Sequence, residues 1–143
     1  MTVPDLETWR AGWDAPDQQR LGVRPVTIAP SYAAVAIDLP YGDERDGDPL
    51  FATSALTYVA DVVALSAVRA HLDEERELPN GTMSLHLDFI EAPTTTVTVE
   101  ARVVAQNESE ALVDLIGCEA GGRMVLRGLA SFSVRQKTPV GAK

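Results

Sequence analysis

Between Thr53 and Leu72 the chain reads Thr-Ser-Ala-Leu-Thr-Tyr-Val-Ala-Asp-Val-Val-Ala-Leu-Ser-Ala-Val-Arg-Ala-His-Leu, with no glycine or proline. As a helix, these roughly 20 residues span ~30 Å. The run is apolar on nearly every face until Arg69, and a helix that is hydrophobic all round has to be buried. In a domain of this size that means wrapped by a sheet. Thr53 or Ser54 can cap the first turn by accepting a bond from an orphan amide. Asp61 breaks the pattern, because a carboxylate in an apolar rod is costly unless it is hydrogen-bonded, paired or near water.

Strand signals flank this helix on both sides. Upstream, Val35, Ile37 and Leu39 alternate around Asp38, and a turn at Ala29-Pro30-Ser31 predicts a hairpin. Pro40 to Pro49 holds two prolines, two glycines and five charges, the composition of a solvated loop. Downstream, an acidic exit from Asp73 to Glu77 and a Pro79-Asn80-Gly81 turn lead into four strand-like stretches. In the first, Leu85, Leu87 and Phe89 alternate with Ser84, His86 and Asp88. In the second, Val97, Val99, Ala101 and Val103 alternate with Thr98, Glu100 and Arg102. Leu112 to Cys118 forms a third, and Met124 to Val134 a fourth after Gly121-Gly122. Short connectors imply antiparallel pairing. The predicted layout is α+β, a curved antiparallel sheet around one long central helix. Earlier still, Leu6, Trp9, Arg10 and Trp13 recur at helical spacing, a short helix or helical turn from Asp5 to about Gln19 in an N-terminal segment, residues 1–20, that packs on the domain.

Composition narrows the function classes. One domain of 143 residues builds a real core without staples. A net charge of −9 has the wrong sign for gripping nucleic acid. The single Cys118 and two histidines cannot supply the usual structural zinc set, and the cysteine usage fits a reducing, cytoplasmic setting. No apolar run approaches the length of a membrane span, and Met1 to Trp13 has no secretory h-region. Gly121-Gly122 lacks a following helix, so there is no nucleotide fingerprint. Neither metal nor cofactor is expected, and neither nucleic acid nor membrane as partner.

The order of elements resembles a hotdog fold, and more closely the small hotdog acyl-CoA thioesterases of the phenylacetate-pathway type. The resemblance runs from Leu21 to about Arg135. It is carried by Leu21-Gly22-Val23, by Ala55 to Val68 with Asp61 inside, by Ser84-Leu85-His86-Leu87-Asp88-Phe89-Ile90-Glu91-Ala92-Pro93, by Val99 to Val104, and by Gly128-Leu129-Ala130-Ser131-Phe132. It implies a hotdog domain over 21–136, with 137–143 a flexible tail. In that family a His-Gly-Gly tripeptide opens the helix, and an acid follows seven positions after the second glycine. Here Ala52-Thr53-Ser54 replaces the tripeptide, while Asp61 holds the acidic position.

The resemblance implies thioester hydrolysis with Asp61 as general base or nucleophile, and a backbone amide at the helix start, assigned to Ser54 with Ala55 as neighbour, polarising the carbonyl. Thr53 and Ser54 carry side chains where the family has glycine, narrowing the channel. A strand hydroxyl that orients water falls on Ser84, with Thr82 as its rival. Tyr58, one turn before Asp61, lines the same cavity or packs with its hydroxyl satisfied. Arg69, Arg123, Arg127 and Arg135 are candidates for coenzyme A phosphates or else solvate strand ends. His71, His86, Asp46, Asp48 and Cys118 read as structural or solvated residues.

An open sheet edge predicts a dimer or tetramer, and the resemblance implies that the site lies at the subunit interface. Two other readings compete. One is a non-catalytic hotdog protein that binds an acyl or aromatic ligand or acts as an interaction subunit, motivated by the missing His-Gly-Gly. The other is a dehydratase, which needs a histidine at the catalytic helix, and neither histidine is placed for it.

Overall fold

The computed structural model describes residues 6–11, 22–38 and 49–138. The predicted features at Trp13, Leu21, Asp46, Asp48 and the end of the tail lie outside the described residues. A short helix α1 (Leu6–Ala11) precedes a hairpin of β1 (Val23–Ala29) and β2 (Tyr32–Ile37). The long helix α2 (Pro49–His71) then leads to β3 (Glu77–Phe89), β4 (Val97–Gln106), β5 (Glu110–Glu119) and β6 (Met124–Gln136).

The strands form one six-stranded sheet in the order β1-β2-β4-β5-β6-β3, antiparallel at every pairing. Helix α2 carries the chain from β2, near one edge, to β3 at the other. This is why the sheet wraps it. The two edge strands are also the two that contain proline, Pro25 in β1 and Pro79 in β3, since a residue without an N–H is tolerated where one side of the strand has no partner.

The core lies between α2 and the concave face of the sheet. Leu56, Val59, Ala60, Val63, Ala64, Ala67 and Val68 of α2 meet Val35, Val99, Val113, Leu115 and Phe132. Four alanines of α2 belong to the core cluster, Ala55, Ala60, Ala64 and Ala67, and their small side chains let strands approach the helix closely. The helix is not buried all round, however. Ser54, Tyr58, Asp61, Val62, Leu65 and Arg69 form a stripe left exposed or half-buried by the described residues. At the rim of this stripe, the indole of Trp9 on α1 donates a 3.1 Å hydrogen bond to Ser66 Oγ.

Two boundaries differ from the sequence reading. Pro79-Asn80-Gly81 lies inside β3 rather than forming a turn before it, and the strand absorbs it as register irregularities between Pro79 and Thr82. Helix α2 begins at Pro49, not at Thr53. Pro49 closes a loop-like composition, yet its fixed φ and missing N–H suit the first position of a helix.

Candidate active site

Asp61 stands mid-helix on the open stripe of α2, half-buried. Its Oδ1 accepts a 2.8 Å hydrogen bond from Oγ1 of Thr82 on β3. A bulge brings Thr82 there. Ser84 pairs with Ser131 and Thr82 with Phe132, so two steps on β3 match one on β6, and such an extra residue switches the face that the following side chains occupy. Thr82 shares the face of the core residue Phe132 and looks at α2. Ser84 shares the opposite face with Ser131, and their hydroxyls bond each other at 2.6 Å. Of the two hydroxyls predicted as rivals, the structure therefore brings Thr82 to Asp61 and turns Ser84 away from it.

Tyr58 lies one turn before Asp61 and is 40% exposed, on the same stripe. Met83, which the sequence reading did not single out, is the bulge residue beside Thr82 and is 60% exposed. Asp61 thus sits where the open helix face meets the edge strand β3.

Two residues predicted at the helix opening lie further along the helix than its first turn. Ser54 is the sixth residue of α2, and only the first four amides of a helix lack an intrahelical acceptor. Its N–H is therefore engaged in the helix ladder; the free amides of the first turn belong to residues 50–52. Ala55, predicted beside the substrate, is 3% exposed and packs in the core. Thr53 and Ser54 are exposed, and the Thr53 carbonyl oxygen also accepts a 2.7 Å bond from the Thr57 hydroxyl.

With this geometry in view, the comparisons with known structures are decisive for the architecture. A thioesterase from Pseudomonas aeruginosa, PA1618, crystallised as a point mutant, superposes with a TM-score of 0.79 at 16% identity, covering 95% of this chain and 97% of its own. The thioesterase HI1161 from Haemophilus influenzae gives 0.77 at 12% identity, over 94% and 93% of the two chains. PA5026, a protein of unknown function from Pseudomonas aeruginosa, gives 0.79 at 20% identity, over 95% and 99%. The architecture is the hotdog fold. No family model matches the sequence, and no curated protein matches it by sequence.

Within this hotdog, the arginines divide sharply. Arg123 donates to Glu119 Oε1 at 2.6 Å and also pairs with Glu91. Arg127 lies 3.4 Å from Asp114. Two of the four candidate phosphate cations are thus committed to carboxylates. Arg69 and Arg135 are exposed.

The histidines are equally explained by their surroundings. His71 Nδ1 is 2.7 Å from Ser31 Oγ, tying the end of α2 to a turn in which Ser31 holds a left-handed φ of 63°. His86 is exposed beside Asp88 at 3.4 Å. Among the described residues no cluster of His, Cys, Asp or Glu could hold a metal, and no helix is long and apolar enough to cross a membrane.

The hotdog also contains a polar cluster that strand periodicity conceals. Glu119 is buried at the end of β5. Its Oε2 accepts the backbone N–H groups and hydroxyls of both Thr94 and Thr95, at 2.8 to 3.1 Å, while Arg123 takes Oε1. Burial pushes this carboxyl up, but the Arg123 bond and the threonine donors outweigh it and hold its pKa at about 2. The cluster fastens the β3–β4 connection to the β5–β6 turn, away from Asp61.

Proposed function

We propose that this chain is a thioester hydrolase in which Asp61 activates water, or attacks the thioester itself, and Thr82 holds the carboxylate in place. The observation that carries this reading is the Asp61–Thr82 hydrogen bond on an open helix face. The threonine proton occupies Oδ1, so the base function falls to Oδ2. The threonine oxygen keeps lone pairs that can accept from the attacking water. Attack on the carbonyl carbon forms a tetrahedral intermediate, which collapses by expelling the thiolate. The negative oxygen of that intermediate needs a donor, and the free amides at residues 50–52 of α2 are of the required kind.

One chain separates those amides from Asp61 along the helix, so the reading includes a second copy of this chain. Pairing two β3 edges would extend the sheet and set one subunit's helix start near the other's Asp61. A dimer, or a tetramer of such dimers, follows. The substrate class is acyl-CoA, and the finer assignment to the phenylacetate-pathway type rests on the sequence resemblance. Crystallised hotdog relatives named as thioesterases support the reaction class. The test is release of free thiol from a broad panel of acyl-CoA esters by purified protein, with light scattering for mass. No thiol release across the panel refutes the hydrolase.

A second reading has its own observation. The helix runs unbroken through Ala52-Thr53-Ser54, where the resembled family has glycine. A ligand-binding hotdog without turnover would be stabilised thermally by acyl or aromatic compounds yet release no thiol.

A further inference from the structure

Five of the seven arginines within residues 22–38 and 49–138 have an acidic or aromatic neighbour. Arg24 pairs with Asp38, Arg76 with Asp73, Arg123 with Glu119 and Arg127 with Asp114, while Arg102 lies over the Tyr32 ring at 5.0 Å. Among the described residues, Arg69 and Arg135 are exposed and have no such partner. They differ in the face they occupy. Arg135 follows the core residue Val134 on β6, so strand alternation aims it away from α2. Arg69 belongs to the open stripe of α2. Asp61, Leu65 and Arg69 succeed one another at i, i+4 and i+8, a single ridge ~12 Å long.

We infer that Arg69 selects a coenzyme A thioester over carriers without phosphates, by meeting the phosphates of the coenzyme while the thioester lies against Asp61. The inference rests on the hydrolase reading of Asp61. A chain of net charge −9 repels a polyanion at long range, so a fixed cation on the substrate's face matters more here than on a basic protein. A guanidinium offers phosphate a planar fork of donors. The half-buried Leu65 between acid and base gives the intervening arm an apolar bed. Arg69 also lies in the last turn of α2, where a cation complements the helix dipole. That role alone would affect stability and leave the Michaelis constant for coenzyme A esters untouched.

The test presents one acyl group on coenzyme A and on N-acetylcysteamine, which has no phosphate, to wild type, Arg69→Gln and Arg69→Lys. The expected result for Arg69→Gln is a KM about tenfold higher for the coenzyme A ester, with kcat little changed and KM for the phosphate-free ester unchanged. Arg69→Lys restores part of the loss as a point charge. Equal KM changes on the two carriers, or none on either, overturn the inference while the hydrolase reading stands. Calorimetric titration with coenzyme A itself separates the two claims. If no ester is hydrolysed but coenzyme A binds wild type and not Arg69→Gln, the hydrolase reading fails and the role of Arg69 survives. Failure of wild type to bind coenzyme A overturns the inference.

Discussion

Thr82 Oγ1 donates to Asp61 Oδ1 at 2.8 Å, joining the middle of the buried helix to the bulged edge strand. The bond gives a half-buried carboxylate on an otherwise apolar helix a polar partner from a neighbouring strand. In the proposed reaction the other carboxylate oxygen acts as the base. Asp61→Asn keeps the shape and removes the base, so thiol release is expected to fall by about 10²-fold or more, with the melting temperature nearly unchanged. Steady-state assay and thermal melting together check this. A variant that retains full turnover would remove Asp61 from the reaction.

Thr82→Val keeps the volume and deletes the donor. Losing a hydrogen bond to a charged group amounts to ~1.5–3 kcal/mol, which predicts a drop of at least about tenfold in kcat/KM. Thr82→Ser should restore most of it. Ser84→Ala is the internal control. Its hydroxyl bonds Ser131 on the opposite sheet face, so hydrolysis should be unaffected and only stability reduced, by ~1 kcal/mol. If Ser84→Ala and Thr82→Val exchange these outcomes, the assignment of faces is wrong.

That contrast shows how far the sequence was legible. The glycine-free run from Thr53 to Leu72 declared a buried helix, and alternation in Val97 to Val103 declared a half-buried strand, because each signal is local. Asp61 was conspicuous for the same reason. The choice between Thr82 and Ser84 was not local. From Ser84 to Phe89 the alternation is regular, and the extra residue that turns Thr82 inward is visible only against its partners Phe132 and Ser131. The start of α2 was missed because Pro49 follows loop-like composition, and one turn of helix moved the free amides away from Ser54. Glu119 alternates like any strand residue, so its donors Thr94 and Thr95, more than twenty positions away, left no trace in its own segment.

Glu119 supplies a pH prediction. Its folded pKa of about 2 lies below the ordinary value of 4.5, so the folded state binds the proton less readily than the unfolded chain. The stabilisation is therefore complete above the ordinary value, and is lost as pH falls from there through about 2. Glu119→Gln should lower the melting temperature at neutral pH and converge on wild type as acid is added. Melting curves across that window decide it. A constant difference at every pH would mean that the charge of Glu119 contributes nothing.

Gly128 tests whether β3 must lie where it does. A Cβ at this position would stand 2.4 Å from the His86 carbonyl oxygen and 2.5 Å from Leu87 Cδ2. The first of these atoms is backbone, which cannot rotate away as a side-chain tip does. Gly128→Ala must therefore push β3 off β6, and overpacking of this kind costs ~1–3 kcal/mol. Because β3 carries Thr82, the displacement also lengthens its bond to Asp61. The variant is expected to melt lower and to lose activity beyond what its folded fraction explains, when both are measured at a temperature where it remains folded. Ala substitution at Gly121, where a Cβ meets nothing within 4 Å, should change neither property. A Gly128→Ala protein with wild-type stability would show that the β3–β6 spacing is looser than described, and with it the placement of Thr82 against Asp61.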